Sequence, residues 1–362
     1  VNHANPVAGQ DDTIDAQLER AAAAIRAGQP VAMPTETVYG LAADATRPDA
    51  VARVYELKAR PRFDPLIVHV NDIATAESLA STVNNAAVAL MNAFWPGPLT
   101  IVMPRRDVVP DIVTAGLPTV AIRCPAHPLA RRLIDMAGVP LAAPSANRFG
   151  RISPTTAAHV RDEFGDDLPI VDGGPCQWGL ESTVISLAGS VPTLLRHGSL
   201  SREDIEAIIG PVETTVAAAD KPLAPGMTPR HYAPRTPLVL VRSIDEARSA
   251  IAKAAGGRAS RSGSDTAAAA TSSATSRAAS PPLVALLAFD ATTSDLPADL
   301  QFAAVETLSP DGDLIVAASR LFGCMRHLDA LGVDLIIAIE APERGLGMAI
   351  NDRLSRASHP DV

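Results

Sequence analysis

Six prolines between Pro211 and Pro237 constrain this chain more than any other feature of its sequence; they stand at 211, 222, 225, 229, 234 and 237. Proline has no backbone N–H to donate and its ring collides with the preceding turn, so neither a helix nor a central strand tolerates such a density. The stretch 211–237 therefore reads as an extended connector between two independently folded parts. A length of 362 residues fits two domains.

On the N-terminal side an amphipathic helix is expected over 12–27, because Ile14, Leu18, Ala21 and Ile25 recur at helical spacing and Gly28 follows as a stop. Strands are expected at 31–33, 66–70, 99–103, 119–123, 182–187 and 193–196, with helices near 48–57, 84–94, 128–136, 155–164 and 201–209. The result is a mixed α/β domain over 10–210. Beyond the connector, strands at 238–241, 283–289 and 334–339 flank a helix carrying Leu314, Ala318, Leu321, Met325 and Leu328. That order predicts a smaller parallel-sheet domain over 238–362. Residues 254–282 contain no Leu, Ile, Val, Met or aromatic side chain. Such a segment cannot bury enough apolar surface to offset its ordering entropy, so a disordered insertion is expected there.

With only 7 Phe, 2 Trp and 3 Tyr, both cores should be aliphatic. No apolar run approaches the roughly 20 residues a bilayer span needs, so no membrane association is expected. Residues 1–13 lack the charged and apolar regions of a secretory signal, and Cys124, Cys176 and Cys324 form no C-x-x-C pair. Cytoplasmic residence is the expectation. A net charge of −9 argues against a protein held to nucleic acid by overall charge, although a local basic groove, and with it a weak RNA contact, stays open.

Four polar clusters interrupt the apolar strands: P-T-E-T-V-Y-G at 34–40, K-A-R-P-R at 58–62, P-S-A-N at 144–147, and D-G-G at 172–174 followed by E-S-T at 181–183. Singly, each has an ordinary explanation as a turn, a solvated helix end or an Asx cap, and His69 within a strand reads as a core histidine. Together they suit an anion. Lys58 and Arg60 would point to one side if the chain is extended there, offering a point charge and a planar fork to phosphate oxygens. Ser145 and Asn147 add a hydroxyl and an amide at the same spacing. There is no G-x-x-x-x-G-K-[ST] and no G-x-G-x-x-G, so a nucleotide would not be held by either fingerprint. No spacing suggests a resident metal site or a Ser-His-Asp arrangement.

These segments resemble the threonylcarbamoyl-AMP synthases built on a YrdC-like domain. The likeness runs through P-T-E-T-V-Y-G-L at 34–41, K-A-R-P-R at 58–62, F-W-P-G-P-L-T at 94–100, A-I-R-C-P at 121–125, P-S-A-N at 144–147 and E-S-T-V at 181–184. It continues through R-H-G at 196–198 and P-G-M-T-P-R-H-Y-A-P at 225–234 into the long form's Rossmann-like C-terminal domain. The resemblance implies an α/β chain, a YrdC-like mixed-sheet domain followed by a smaller Rossmann-like parallel-sheet domain. It implies a nucleotidyltransferase that converts L-threonine, bicarbonate and ATP into L-threonylcarbamoyl-adenylate and pyrophosphate. A downstream tRNA-modifying transferase would then use the product on the adenosine next to the anticodon.

Carried over by position, Thr37, His69, Arg123 and Ser182 match threonine contacts. Arg60, Asp64, Thr119, Ser145, Asn147, Ser153, Arg196 and Tyr232 match ATP contacts, with Lys58 beside the phosphates and Lys58 and Arg60 as the catalytic pair. Mg²⁺ would arrive with the ATP. Asp64 departs from the Asn of many relatives, trading an amide donor for a negative charge. A hydrogenase-maturation carbamoyltransferase should carry C-x-x-C fingers that are absent here. A nucleotide-sensing regulator is a further alternative, as is a non-catalytic double-stranded RNA or ribosome-assembly binder, which the charge disfavours. The connector, with Arg230, His231 and Tyr232 set among prolines, is expected to act as a lid.

Overall fold

The first helix follows directly from its pattern. Leu18, Ala21, Ala22 and Ile25 are all buried on one face of α1 (Ile14–Arg26), and Thr13 caps it by accepting from the Ala16 N–H at 3.3 Å. The computed structural model describes residues 13–214, 222–228, 230–262 and 281–359. Among these, the N-terminal domain is built on β1 (Val31–Met33), β2 (Gly40–Asp44), β3 (Ile67–His69), β4 (Leu99–Pro104), β5 (Thr119–Arg123), β6 (Leu141–Ala142), β7 (Thr183–Ser186), β8 (Thr193–Arg196) and β9 (Glu213–Thr214). They form one mixed sheet in the order β1-β2-β6-β3-β5-β4-β7-β8-β9. The helices are α2 (Pro48–Lys58), α3 (Ile73–Leu79), α4 (Asn85–Phe94), α5 (Asp111–Thr114), α6 (Pro128–Ala137), α7 (Ala157–Phe164) and α8 (Arg202–Ile209). One core packs α2, α3 and α4 on the sheet, and a second packs α1 and α6 against β1.

The C-terminal domain is a four-stranded parallel sheet, β10 (Leu238–Val241), β11 (Val284–Ala288), β12 (Ala304–Thr307) and β13 (Leu335–Ile339), in the order β10-β13-β11-β12. Its period of two sorts the side chains. Val284, Leu286 and Ala288 face α9 (Ile244–Ser262), while Ala285 and Leu287 face α10 (Leu314–Ala330) and α11 (Leu346–Ala357). The α/β class and the mixed-then-parallel arrangement agree with expectation.

Some differences have clear causes. β2 reads Gly-Leu-Ala-Ala-Asp and is buried at every position, so it shows no alternation and weak strand propensity. β6 and β9 are two residues each, too short to leave a pattern. The expected disorder at 254–282 is corrected for 254–262: α9 begins on packed residues such as Ala247 and propagates to Ser262 through alanine and arginine, both good helix formers. Residues 263–280 lie outside the described residues. Among the described residues no helix is long and apolar enough to cross a membrane.

Candidate functional site

Sheet register assembles the centre of the site. His69 on β3 lies opposite Arg123 on β5, and Arg123 lies opposite Thr100 on β4, so these three occupy one cross-strand row. The Thr100 hydroxyl meets the Ser182 hydroxyl at 2.7 Å, extending the row to the start of β7. Above it, the loop after β1 folds on its own threonines: the Thr35 and Thr37 hydroxyls are 2.8 Å apart, and Thr35 donates to the Val38 carbonyl at 2.6 Å. Arg123 donates from Nη1 to Thr37 Oγ1 at 2.9 Å and from Nη2 to Glu36 Oε1 at 2.6 Å. Burial opposes the Glu36 charge, but Arg123 outweighs it and the carboxyl sits below its ordinary pKa. His69 is held neutral, pushed down to about 3 by burial and then by Arg123.

The second half of the site is cationic. α2 runs through Lys58 and ends at Ala59 in the left-handed conformation (φ 50°), so the chain there is not extended and the two cations diverge. Lys58 turns inward, donating to the carbonyls of Ser145 (2.6 Å) and Asn147, and thereby ties down the P-S-A-N loop. Burial and neighbouring Arg60 press its pKa well below the ordinary lysine value. Arg60 turns toward the pocket, braced by the carbonyls of Asp64 (3.1 Å) and Pro65 (2.8 Å) and by Asp64 Oδ2 at 2.9 Å. Asp64 is thus an ion-pair partner of Arg60, with burial raising its pKa against that pull. From β8, Arg196 donates through Nε and Nη2 to the Ser182 carbonyl and through Nη1 to the carbonyl of Pro225 in the connector.

These groups enclose a cavity of about 40 Å³, lined by Thr37, Arg60, His69, Arg123, Ser145, Ser182, Arg196 and Tyr232 among the residues expected from sequence, and also by Thr35, Glu181, Gly226 and His231. Lys58, Asp64, Thr119, Asn147 and Ser153 are not in its wall. Asn147 uses its amide to hold the carbonyls of Arg148 and Arg151, both at 2.8 Å. Ser153 donates to Glu181 Oε1 at 2.5 Å, and Thr119 lies half-buried at the start of β5.

The connector closes the cavity. Gly226 has φ 80°, and a Cβ there would stand 2.6 Å from the Tyr232 hydroxyl, so only glycine permits the approach. Tyr232 is 1% exposed with φ 62°, a strained conformation for an aromatic residue. Its ring stacks on Phe322 of α10 (5.6 Å between centroids), touches His231 (4.1 Å), and lies 5.0 Å from the Arg353 guanidinium carbon of α11.

Sequence reading missed Glu36, Glu181 and Arg353 as site residues. The first two stand inside the quoted motifs and were visible there. Arg353 sits in N-D-R-L-S-R on an amphipathic helix of the other domain, and no local signal marks it.

Comparison with known proteins bears on this geometry. A family model described as "Telomere recombination" matches residues 23–198, and one described as the C-terminal domain of threonylcarbamoyl-AMP synthase matches 200–359. The chain is 41% identical to the threonylcarbamoyl-AMP synthase of Bacillus subtilis over 96% of its own length and 94% of the relative's, and 40% identical to that of Pyrococcus abyssi over 94% of each. The synthase of Schizosaccharomyces pombe is 36% identical over 94% of this chain and 88% of its own. The crystal structure of P. abyssi Sua5 complexed with L-threonine superposes with a TM-score of 0.80 at 38% identity, covering 94% of both chains.

Proposed function

Since the chain belongs to the threonylcarbamoyl-AMP synthases in their long two-domain form, we propose that its enclosed pocket is where L-threonine, bicarbonate and ATP become L-threonylcarbamoyl-adenylate and pyrophosphate. The observation that carries this assignment is the convergence of Thr37, His69, Arg123 and Ser182 with Arg60, Ser145 and Arg196 on one cavity. The first set offers hydroxyls and the guanidinium N–H groups of Arg123 left beside its bonds to Thr37 and Glu36, suited to threonine; the second offers two guanidinium groups and a hydroxyl suited to phosphates.

In this reading the threonine amine and bicarbonate form a carbamate with loss of water. A carbamate oxygen then attacks the α-phosphorus, the new P–O bond forms as the bond to the β-phosphate oxygen breaks, and pyrophosphate leaves with that electron pair. Phosphoryl-type transfer depends chiefly on positioning and on neutralising developing charge, which Arg60 and Arg196 supply. Lys58 acts one step back, holding the Ser145–Asn147 backbone. His69, kept neutral, adds no charge against the fork of Arg123. Mg²⁺ travels as part of the ATP substrate; the pocket's carboxylate Glu181 is already engaged by Ser153 and Arg353, so no resident ion site is assigned to it.

A cavity of about 40 Å³ is far below the roughly 300 Å³ or more of small-molecule sites, so its wall must move to admit ATP, and the connector residues His231 and Tyr232 are the proposed moving part. The connector is then a lid that closes over the nucleotide and keeps water from the adenylate. The product passes to a separate transferase for modification of tRNA, in the cytoplasm, with at most a weak RNA contact by this chain. The alternative of a non-catalytic RNA binder is not favoured, because relatives matching nearly the whole chain are named synthases. The test is pyrophosphate release by the full chain with ATP, L-threonine and bicarbonate supplied together and singly. Release requiring all three is expected; equal release without threonine overturns the assignment.

A further inference from the structure

Arg353 is completely buried, although it belongs to α11 in the C-terminal domain. Its Nε donates to Glu181 Oε2 at 2.9 Å, and its Nη1 donates to the His197 carbonyl and to Asp352 Oδ2, each at 2.8 Å. The other oxygen of Glu181 accepts from Ser153, and Tyr232 covers the guanidinium face. One side chain of the second domain thus holds a carboxylate in the wall of the first domain's pocket and supports the ring that closes that pocket.

The charge of Glu181 makes this more than a fastener. A carboxylate lining a pocket that takes a triphosphate repels its ligand unless a cation neutralises it at close range. Arg60 and Arg196 face the phosphates and neither touches Glu181: Arg60 meets Asp64, and Arg196 meets the Ser182 carbonyl and hydroxyl and the Pro225 carbonyl. Arg353 is the cation in direct contact with Glu181.

We propose that Arg353 is a positioning residue of the synthase, by which the C-terminal domain neutralises and orients Glu181 and carries Tyr232 in the closed connector. The proposal rests on the reading of this pocket as the ATP site. It assigns the second domain a part in nucleotide binding, exerted through Glu181 and Tyr232.

Steady-state kinetics on the full chain test it. Arg353→Met should raise the KM for ATP at least tenfold and the KM for threonine far less, because Thr37, His69 and Arg123 lie on other segments and Ser182 alone adjoins Glu181. Glu181→Gln added to Arg353→Met should recover much of the loss, since the uncompensated charge is gone. Arg353→Gln, which keeps a donor to Glu181 without the charge, serves if Arg353→Met gives no soluble protein. An unchanged ATP KM, or a double variant no better than the single, overturns the proposal and leaves Arg353 an interdomain fastener. Arg60→Met and Arg196→Met separate the two levels: if they too leave the ATP KM unchanged, the pocket reading fails; if they raise it and Arg353→Met does not, this inference alone fails.

Discussion

Gly198 gives the sharpest test of how tightly the E-S-T segment is held. A Cβ at this position would stand 2.4 Å from the Ser182 carbonyl carbon and the Thr183 nitrogen and 2.5 Å from the Glu181 carbonyl oxygen. All three atoms are backbone, so no rotamer change relieves the overlap. Ordinary contact begins near 3.4 Å, so in Gly198→Ala the two chains must separate by about 1 Å. Overpacking of this kind costs about 1–3 kcal/mol, which lowers Tm by roughly 2–12 °C in a domain of this size. The same displacement moves Ser182 and Glu181 out of register with Thr100, Ser153 and Arg353, and misplacement by about 1 Å is enough for a loss near 10²-fold in turnover. Calorimetry and pyrophosphate release, with Gly189→Ala as control because a Cβ there meets nothing within 4 Å, measure both effects. Gly198→Ala indistinguishable from Gly189→Ala in melting and turnover would refute the reasoning.

Three further outcomes are expected. Gly226→Ala places a Cβ 2.6 Å from the Tyr232 hydroxyl at φ 80°, so it should hold the connector away from the pocket; ATP binding by calorimetry should weaken several-fold with the fold intact, and wild-type affinity counts against the lid. His69 has a folded pKa near 3 against an ordinary 6.5, so the unfolded chain binds the extra proton. Its contribution is fully present above pH 6.5 and is lost as pH falls toward 3, amounting to about 5 kcal/mol over that window. Denaturant midpoints from pH 7 to 4 should fall less steeply in His69→Asn than in wild type, and parallel slopes would show that His69 is not the linked group. Lys58→Met removes both donors to the P-S-A-N loop and should cut turnover at least tenfold with a raised ATP KM; unchanged kinetics would show that the loop holds itself.

Legibility of the chain divides along physical lines. The α1 and α10 stripes, the apolar run of β11 and the proline-dense connector were all readable from local pattern. β2 and β6 were not, since their pairing with each other joins residues near 43 to residues near 142, and nothing within either segment records a partner. In the site, the motifs named the right segments but not where their side chains turn. K-x-R reads as a forked cation until Ala59 adopts a left-handed conformation and sends Lys58 to backbone carbonyls and Arg60 to the pocket. Arg123 reads as an open carboxylate fork, whereas the fold occupies part of it with Glu36. Arg353 was illegible for the plainest reason: its role depends on docking two domains.

That docking bears on how the site closes. Tyr232, Val38, Ile152 and Leu180 share one apolar cluster with Leu321, Phe322 and Met325 of the C-terminal domain, so the closed connector is packed as part of the second domain's core. The same closure carries costs. Tyr232 holds a positive φ, and its hydroxyl, His231 Nδ1 and Arg353 Nη2 are buried without a hydrogen-bond partner among the described residues. Each such group costs about 1–3 kcal/mol, comparable with what burying one aromatic ring returns. The three groups together therefore cost about 3–9 kcal/mol, more than burial of the Tyr232 ring alone returns, so a ligand that satisfied them would favour this arrangement. In the lid reading proposed above, a nucleotide satisfying these groups would favour closure, and its departure as pyrophosphate would let solvent satisfy them instead. On that proposal the C-terminal domain would set the balance, through Phe322 stacked on the tyrosine and Arg353 between Tyr232 and Glu181.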